Sequence, residues 1–412
     1  MTTDVTVLGA GIVGICTALS LAERGQRVRV IDRREPGQET SFGNAGVISP
    51  WSIIPQSMPG TWRSIPALMW GKAKPLSVRR GSWLKMLPWG VKFLRNGSEQ
   101  KVRSTSDAME VLCAPSIDLY KRHLAGTGNE DLVVDAMYVH AFRDGSKATL
   151  KSLDYKIRQE KGADLELIGQ DELRRTEPAI APDFEAAVLI KGQARARSPG
   201  DICSVLFEKA RSLGVTFLRG AIRGIQPTER GWEVSTETGE FRSPNLVLAL
   251  GAWSAPFLKD LGLTPPLMAE RGYHVEFRDP GVTLQNSVMD VDAKCVASSM
   301  TTGLRFAGQA EFGPVDAPPD HRKQALLTGL AKAAFPDLQT GEQSFWMGRR
   351  PSMHDSLPVM GPVERQTGLY LNFGHSHYGL MMAPKSGEIL ADIITGNRSN
   401  QDMSAYALSR FA

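Results

Sequence analysis

Residues 4–8 form a short β-branched run, residues 12–24 carry helical spacing and residues 26–31 are β-like again, so the chain opens as β, α, β. At the first junction stands Gly9-Ala10-Gly11-Ile12-Val13-Gly14, a G-x-G-x-x-G string directly after a strand and at the start of a helix. In that position each glycine has a mechanical reason. Gly9 permits a tight turn, Gly11 lets backbone approach a pyrophosphate, and Gly14 lets the helix pack closely on the strand. Ile12 and Val13 sit in the first helical turn, whose N–H groups and dipole favour an anion. Asp32 ends the second β-like run, roughly twenty residues past the glycines, where an acid accepts hydrogen bonds from ribose hydroxyls and disfavours a 2′-phosphate. Arg33 beside it weakens that exclusion. Within the helix, Ile12, Ile15, Cys16, Leu19 and Ala22 recur three and four apart, predicting one apolar face on a sheet, and Gly25 ends it. Residues 5–32 therefore predict an α/β unit that binds an ADP-containing dinucleotide.

At 412 residues the chain exceeds one ordinary core and suits two packed domains with a cleft between them. With 42% hydrophobic and 22% charged residues it has a soluble globular composition, and a net charge of +4 is too small to imply a nucleic-acid partner. Cys16, Cys113, Cys203 and Cys295 lie far apart with no C-x-x-C pair, which argues against a zinc site or disulfide framework and for a reducing, cytoplasmic setting. No signal-peptide pattern opens the chain. No uncharged apolar stretch approaches the ~18 residues that cross a bilayer.

The charge is unevenly placed. Between residues 61 and 103 stand Arg63, Lys72, Lys74, Arg79, Arg80, Lys85, Lys92, Arg95, Lys101 and Arg103 against one acid, Glu99. Trp62, Trp70, Trp83 and Trp89 are interleaved with them. The simpler expectation is a solvated face over a structural Trp cluster; the alternative is a contact with the inner face of a membrane or an electron-accepting partner. Pro50, Pro55, Pro59, Pro66, Pro75 and Pro88 predict an irregular excursion without a long helix or central strand. Further along, residues 102–124, 146–162, 201–213, 321–334 and 386–394 read as helices, and 132–142, 215–218, 246–249, 273–277, 295–299 and 304–307 as strands.

The glycine string does not distinguish FAD from NAD. Thr40-Ser41-Phe42-Gly43-Asn44-Ala45-Gly46 does help, because its hydroxyls, amide and small residues suit a pyrophosphate and a flavin. A second glycine-bearing strand end, Leu248-Ala249-Leu250-Gly251-Ala252-Trp253, fits an extended cofactor touched by several segments. No second G-x-G-x-x-G occurs, so the electrons are expected to arrive with the substrate rather than from NAD(P)H.

Residues 41–50, SFGNAGVISP, resemble the S-F-x-N-A-G-x-I-S-P stretch of bacterial D-amino-acid dehydrogenases, within the superfamily of D-amino-acid, glycine and sarcosine oxidases. Ser57-Met58-Pro59-Gly60, Glu270-Arg271-Gly272-Tyr273-His274 and Trp346-Met347-Gly348-Arg349-Arg350-Pro351-Ser352 resemble glyphosate oxidoreductases of that group more closely. The resemblance spans almost the whole chain. It implies an α/β (α+β mixed) fold in which an FAD-binding Rossmann-like domain is interleaved with an antiparallel-sheet substrate domain. The expected partition gives 1–50, 145–185, 198–254 and 344–412 to the first, and 51–144, 186–197 and 255–343 to the second. It also implies oxidation of the Cα–N bond of a D-amino acid or N-substituted amino acid, with hydride transfer to flavin N5 and hydrolysis of the imine to an oxo acid. No cysteine stands in the C-terminal block, where sarcosine oxidases attach their flavin, so noncovalent FAD is expected.

Such chemistry needs a carboxylate anchor, and the arginine fork suits one. Arg350 occupies the family's G-x-R-P arginine. Gly374-His375-Ser376-His377-Tyr378-Gly379-Leu380-Met381 matches the G-H-x-x-x-G region, which places Gly374, His375, Gly379, Leu380 and Met381 near the flavin and His377 and Tyr378 toward substrate. Gly348 and Ile222 are further expected cofactor neighbours. Tyr273 and His274 occupy adjacent strand positions, so at most one faces the flavin; Tyr273 is favoured, and a core role for His274 is equally open. No acidic or cysteine cluster completes a metal site. The competing expectations are a noncatalytic electron-transfer subunit of a heteromeric dehydrogenase and an NAD-dependent dehydrogenase.

Overall fold

In the computed structural model, which describes residues 3–397 and 401–412, two large sheets meet. Residues 1–2 and 398–400, assigned above to the first and last segments of the FAD-binding domain, lie outside the described residues. Strand Val5–Leu8 is buried at every position, as a β-branched run between two strand neighbours and two covered faces should be. It is central in a six-stranded sheet ordered Val359–Pro362, Leu369–Phe373, Asn245–Leu248, Val5–Leu8, Val28–Asp32, Thr216–Arg219. All neighbours pair in parallel except the edge strand Val359–Pro362.

Helix Ile12–Glu23 buries ten of its twelve residues, more than the single apolar face expected. The cause is a second cover: helix Gly379–Ile394 crosses it so closely that a Cβ on Gly387 would lie 2.7 Å from the Cys16 backbone carbon. This second helix begins at Gly379 rather than at 386 and continues through Pro384. Proline there lacks the N–H that would bond the Leu380 carbonyl, and the Tyr120 hydroxyl donates to that carbonyl instead, at 2.8 Å.

The other sheet has ten strands. Its path runs Gln343–Met353, Leu267–Phe277, Gly303–Phe312, Cys295–Met300, Ser287–Asp290, Val133–Phe142, Ala186–Ala196, Val47–Ile48. Leu76–Val78 pairs with Gly303–Phe312, and Leu165–Gly169 with Ala186–Ala196. Three members depart from the partition drawn from sequence: Val47–Ile48, Leu165–Gly169 and the start of the last segment, Gln343–Met353, hydrogen-bond into this sheet and not into the parallel one. A three-stranded antiparallel sheet, Ile222–Thr228, Gly231–Thr236 and Gly239–Ser243, was not foreseen.

The proline-rich excursion, expected to be irregular and without a long helix, contains two helices, Thr61–Trp70 and Trp83–Arg95. Each holds its proline, Pro66 or Pro88, in the second turn and largely in solvent, where water can take the carbonyl left without a donor. Trp89 anchors the second helix, stacking on Phe93 and donating from Nε1 to the Pro266 carbonyl at 2.9 Å.

His123, His140, His274 and His375 are buried, and burial pushes each imidazole down, to about 4 for His123 and about 3 for His375. An unfolded histidine takes up its proton near pH 6.5 (about 6.5 as reference value), whereas these stay neutral in the native state. The unfolded chain therefore binds more protons as pH falls from about 6.5 toward about 3, and native stability declines across that window. The urea midpoint of the holoprotein should accordingly be lower at about pH 5 than at about pH 7.5; equal midpoints would contradict neutral buried histidines.

Candidate active site

A cavity of about 1340 Å³ lies where the two sheets meet. Gly9, Asp32, Ala249 and Gly374 line it, and each stands at or just past the carboxyl end of a parallel strand, the edge at which open α/β sheets place ligands. The volume exceeds the roughly 300–1,000 Å³ of a pocket for one drug-sized ligand, so a dinucleotide and a small substrate have room together.

The glycine turn is built as its sequence requires. Gly9 has φ +106°, and a Cβ on it would lie 2.4 Å from the Ala249 carbonyl oxygen. A Cβ on Gly14 would sit 1.9 Å from the Gly9 oxygen, so Gly14 packs behind the turn and does not line the cavity. Gly11, Ile12 and Val13 do line it. Asp32 braces the turn by accepting from Ala10 N at 2.7 Å and Arg34 N at 3.0 Å; burial raises its carboxyl pKa against those two bonds. Ser41 accepts from Ile12 N at 2.9 Å, while Gly11 supplies no side-chain cap, leaving other first-turn donors for a phosphate.

Ser41, Asn44 and Ala45 line the cavity on a loop that the ten-stranded sheet holds still. Arg305 donates from Nη1 to the Phe42 and Asn44 carbonyls at 2.9 and 2.7 Å, and Thr40 bonds the Arg349 backbone. Gly46 lies outside the cavity and ties the loop to Ala196 N at 2.7 Å. At another part of the wall, Trp253 has the guanidinium of Arg33 over its ring at 4.4 Å and that of Arg349 at 5.4 Å, with its Nε1 donating to Asp316. Ile222, Gly251 and Gly348 also line the space.

Opposite the glycine turn, strands Leu267–Phe277 and Gln343–Met353 pair Glu270 with Arg350 and Gly272 with Gly348. The Arg350 guanidinium lies over Gly272, where a Cβ would meet Nη2 at 2.2 Å. Its Nη1 donates to Glu270 Oε1 at 2.8 Å and to the Gln309 carbonyl at 3.0 Å. His377 Nε2 lies 2.5 Å from the same Glu270 oxygen, and Ser352 donates to the other at 2.8 Å. Burial alone would raise the Glu270 carboxyl; His377, Arg350 and Ser352 together hold it well below the usual carboxylate range. Arg350 and His377 both face the cavity.

The other expected catalytic residues are placed differently. Tyr273 borders the cavity, but its ring stacks on Phe345, its hydroxyl bonds Glu311, and Asp320 N donates to it at 3.3 Å. His274 is outside the cavity, stacked on Trp346 with Nδ1 3.2 Å from the Gly43 carbonyl. Of the two neighbours, Tyr273 therefore reaches the cavity wall and His274 does not, and the register shift between Arg271 and Tyr273 breaks strict alternation here. Tyr378 lines the cavity with its hydroxyl donating to the Ile54 carbonyl at 2.7 Å, which makes it a fixed wall. His375 lines it too, neutral and 3.3 Å from Ser386 Oγ, followed by Gly379, Leu380 and Met381.

Glu270 is the functional group missed in the sequence. Beside Arg271 it reads as half of a surface ion pair, and only the strand register reveals its partner as Arg350. Tyr138, His140, Arg158, Lys294 and Gln309 complete the wall and carried no motif. None of the four cysteines lines the cavity.

Asp32→Ala removes the acceptor that braces Ala10 N. It should leave the far-UV circular dichroism intact and weaken FAD by about tenfold or more, as loss of a charged hydrogen-bond acceptor does. Wild-type FAD content after gel filtration would contradict this reading.

The family described as FAD dependent oxidoreductase matches residues 4–393. A D-amino-acid oxidase of Bradyrhizobium diazoefficiens is 31% identical, covering 99% of this chain and 98% of its own. A D-amino acid dehydrogenase of Rhizobium rhizogenes is 30% identical, covering 99% of each. Among solved structures, glycine oxidase from Geobacillus kaustophilus superimposes with a TM-score of 0.76 at 20% identity over 99% of both chains. The glycine turn, the cavity between the sheets and these likenesses agree: this chain belongs to the family of FAD-dependent oxidoreductases, with FAD as its cofactor.

Proposed function

We propose that the protein oxidises the Cα–N bond of a D-amino acid or an N-substituted amino acid to an imine, which water hydrolyses to an oxo acid. The observation that carries this reading is a guanidinium, Arg350, facing the same cavity as the glycine turn and prepared by a buried carboxylate. The relatives named D-amino-acid oxidase and D-amino acid dehydrogenase support the substrate class.

Gly9, Gly11 and Val13 would hold the pyrophosphate of FAD, Asp32 its ribose, and Ser41, Asn44 and Ala45 the region beyond, without a covalent link. Bound FAD supplies the two-electron acceptor. The chain supplies the rest. Arg350 commits Nη1 to Glu270 and Gln309 and keeps Nη2, which has no hydrogen bond among the described residues, for the substrate carboxylate. His377 is fixed through Nε2, and its Nδ1 takes the ammonium proton so that the nitrogen lone pair is available. Glu270 acts through both: it orients Arg350 and fixes the face His377 presents. Leu380 and Met381 keep water from the reacting bond.

Anaerobic addition of a substrate should bleach the yellow holoprotein, and no bleaching by any D-amino or N-alkyl amino acid would reject the reaction. Arg350→Lys keeps a cation for Glu270 but loses the fork. It should raise KM for the amino acid by about tenfold to a hundredfold while leaving the matching amine without a carboxylate unaffected. Equal KM values in variant and wild type would remove Arg350 from the anchor role.

A further inference from the structure

Among the described residues nine large apolar side chains are exposed, and six of them, Trp62, Trp70, Trp83, Leu84, Leu87 and Val91, belong to the two helices Thr61–Trp70 and Trp83–Arg95. That concentration is what needs explaining, since apolar residues scattered singly over a surface do not. The helices are also amphipathic in the wrong sense. In Trp83–Arg95 the inward arc is Trp89 with Met86 and Phe93, while Leu84, Leu87 and Val91, spaced three and four apart, form an outward stripe with Trp83 beside it. Lys85, Lys92 and Arg95 run along the flank of that stripe. In Thr61–Trp70 no residue is fully buried, and Trp62, Pro66 and Trp70 recur every four residues on an exposed line.

The cations around these stripes are not used to hold the fold. Among the described residues no carboxylate lies within ion-pair distance of Lys72, Lys74, Arg80, Lys85, Lys92 or Arg95, and Arg63 lies over the Trp62 ring at 5.2 Å. Arg79 and Arg103, by contrast, pair with Glu311 and with Glu99 and Glu160.

We propose that this face docks on an anionic lipid bilayer. Tryptophan and leucine on one arc with lysine and arginine on the next is the arrangement that lies in a headgroup layer, apolar side sunk and cations at the phosphates. A second copy of the chain is disfavoured as the occupant, because a two-fold contact through this face would bring the same unpaired cations together. No helix of the described residues is long and apolar enough to cross the bilayer, so the contact is peripheral. The same segment supplies part of the active-site wall: Pro55, Gln56, Met58 and Pro59, immediately before the first helix, line the cavity. Docking therefore brings one wall of the cavity to the membrane surface.

The test is cosedimentation of the full-length holoprotein with unilamellar vesicles of phosphatidylcholine alone or with about one quarter phosphatidylglycerol. The protein should pellet with the anionic vesicles at low salt, remain in solution with pure phosphatidylcholine, and dissociate at about 0.5 M salt, where screening shortens to a few ångströms. Lys85→Gln/Lys92→Gln should cut the partition by about fivefold per charge. Leu84→Ser/Leu87→Ser, at two exposed positions that do not line the cavity, keeps every cation and should cut it by about tenfold with flavin content unchanged. Failure to pellet with anionic vesicles at low salt would overturn the proposal. So would binding that survives the leucine substitutions undiminished, or gel filtration showing a dimer that those substitutions dissolve.

Discussion

Glu270 is buried almost completely, and a lone carboxylate cannot remain ionised in that position without partners. Here three groups share it: the Arg350 guanidinium, the His377 ring and the Ser352 hydroxyl. Two of these come from the strand beside it and one from the turn that precedes helix Gly379–Ile394. That helix also packs against Ile12–Glu23 of the nucleotide-binding unit, so one carboxylate links the substrate-facing sheet to the element that follows the parallel sheet. Removing it would leave Arg350 uncompensated and His377 unheld, and so disturb both roles proposed for them together.

The glycine turn imposes the complementary constraint from the opposite wall. A Cβ at Gly14 would overlap the Gly9 carbonyl, and Asp32 holds Ala10 N across the turn. Such contacts leave one backbone path through residues 9–14. The loop bearing Ser41 and Asn44 is likewise fixed, but by Arg305 and Trp346 of the other sheet. Cofactor and substrate walls therefore depend on each other for their shape, a preorganisation that lets a small substrate be held against a large cofactor without rearrangement.

The parts of this architecture that were legible in the sequence are those whose causes are local. Gly9, Gly11, Gly14 and Asp32 each answer a backbone or hydrogen-bond requirement within one βαβ unit, and Arg350 sat in a string specific enough to be assigned. The parts that were misread depend on distant partners. Tyr273 was favoured for the site, yet its hydroxyl is taken by Glu311 and by Asp320 N, partners that no alternation within one strand reveals. Helix Gly379–Ile394 extends through Pro384 because Tyr120, far away in sequence, satisfies the freed carbonyl. Leu165–Gly169 joined the other sheet because its partner strand Ala186–Ala196 lies there. The Trp-rich basic segment was recognised by composition, yet its two helices run through prolines because they pack so lightly that solvent can serve the unpaired carbonyls.

The central claim is that Arg350 holds a carboxylate within the cavity that also holds FAD. Propionate, a carboxylate with no nitrogen to oxidise, tests it directly through the flavin absorbance of the holoprotein. A saturable spectral perturbation that disappears in Arg350→Lys is the predicted result. A flavin spectrum indifferent to propionate, or perturbed equally in the variant, would contradict it.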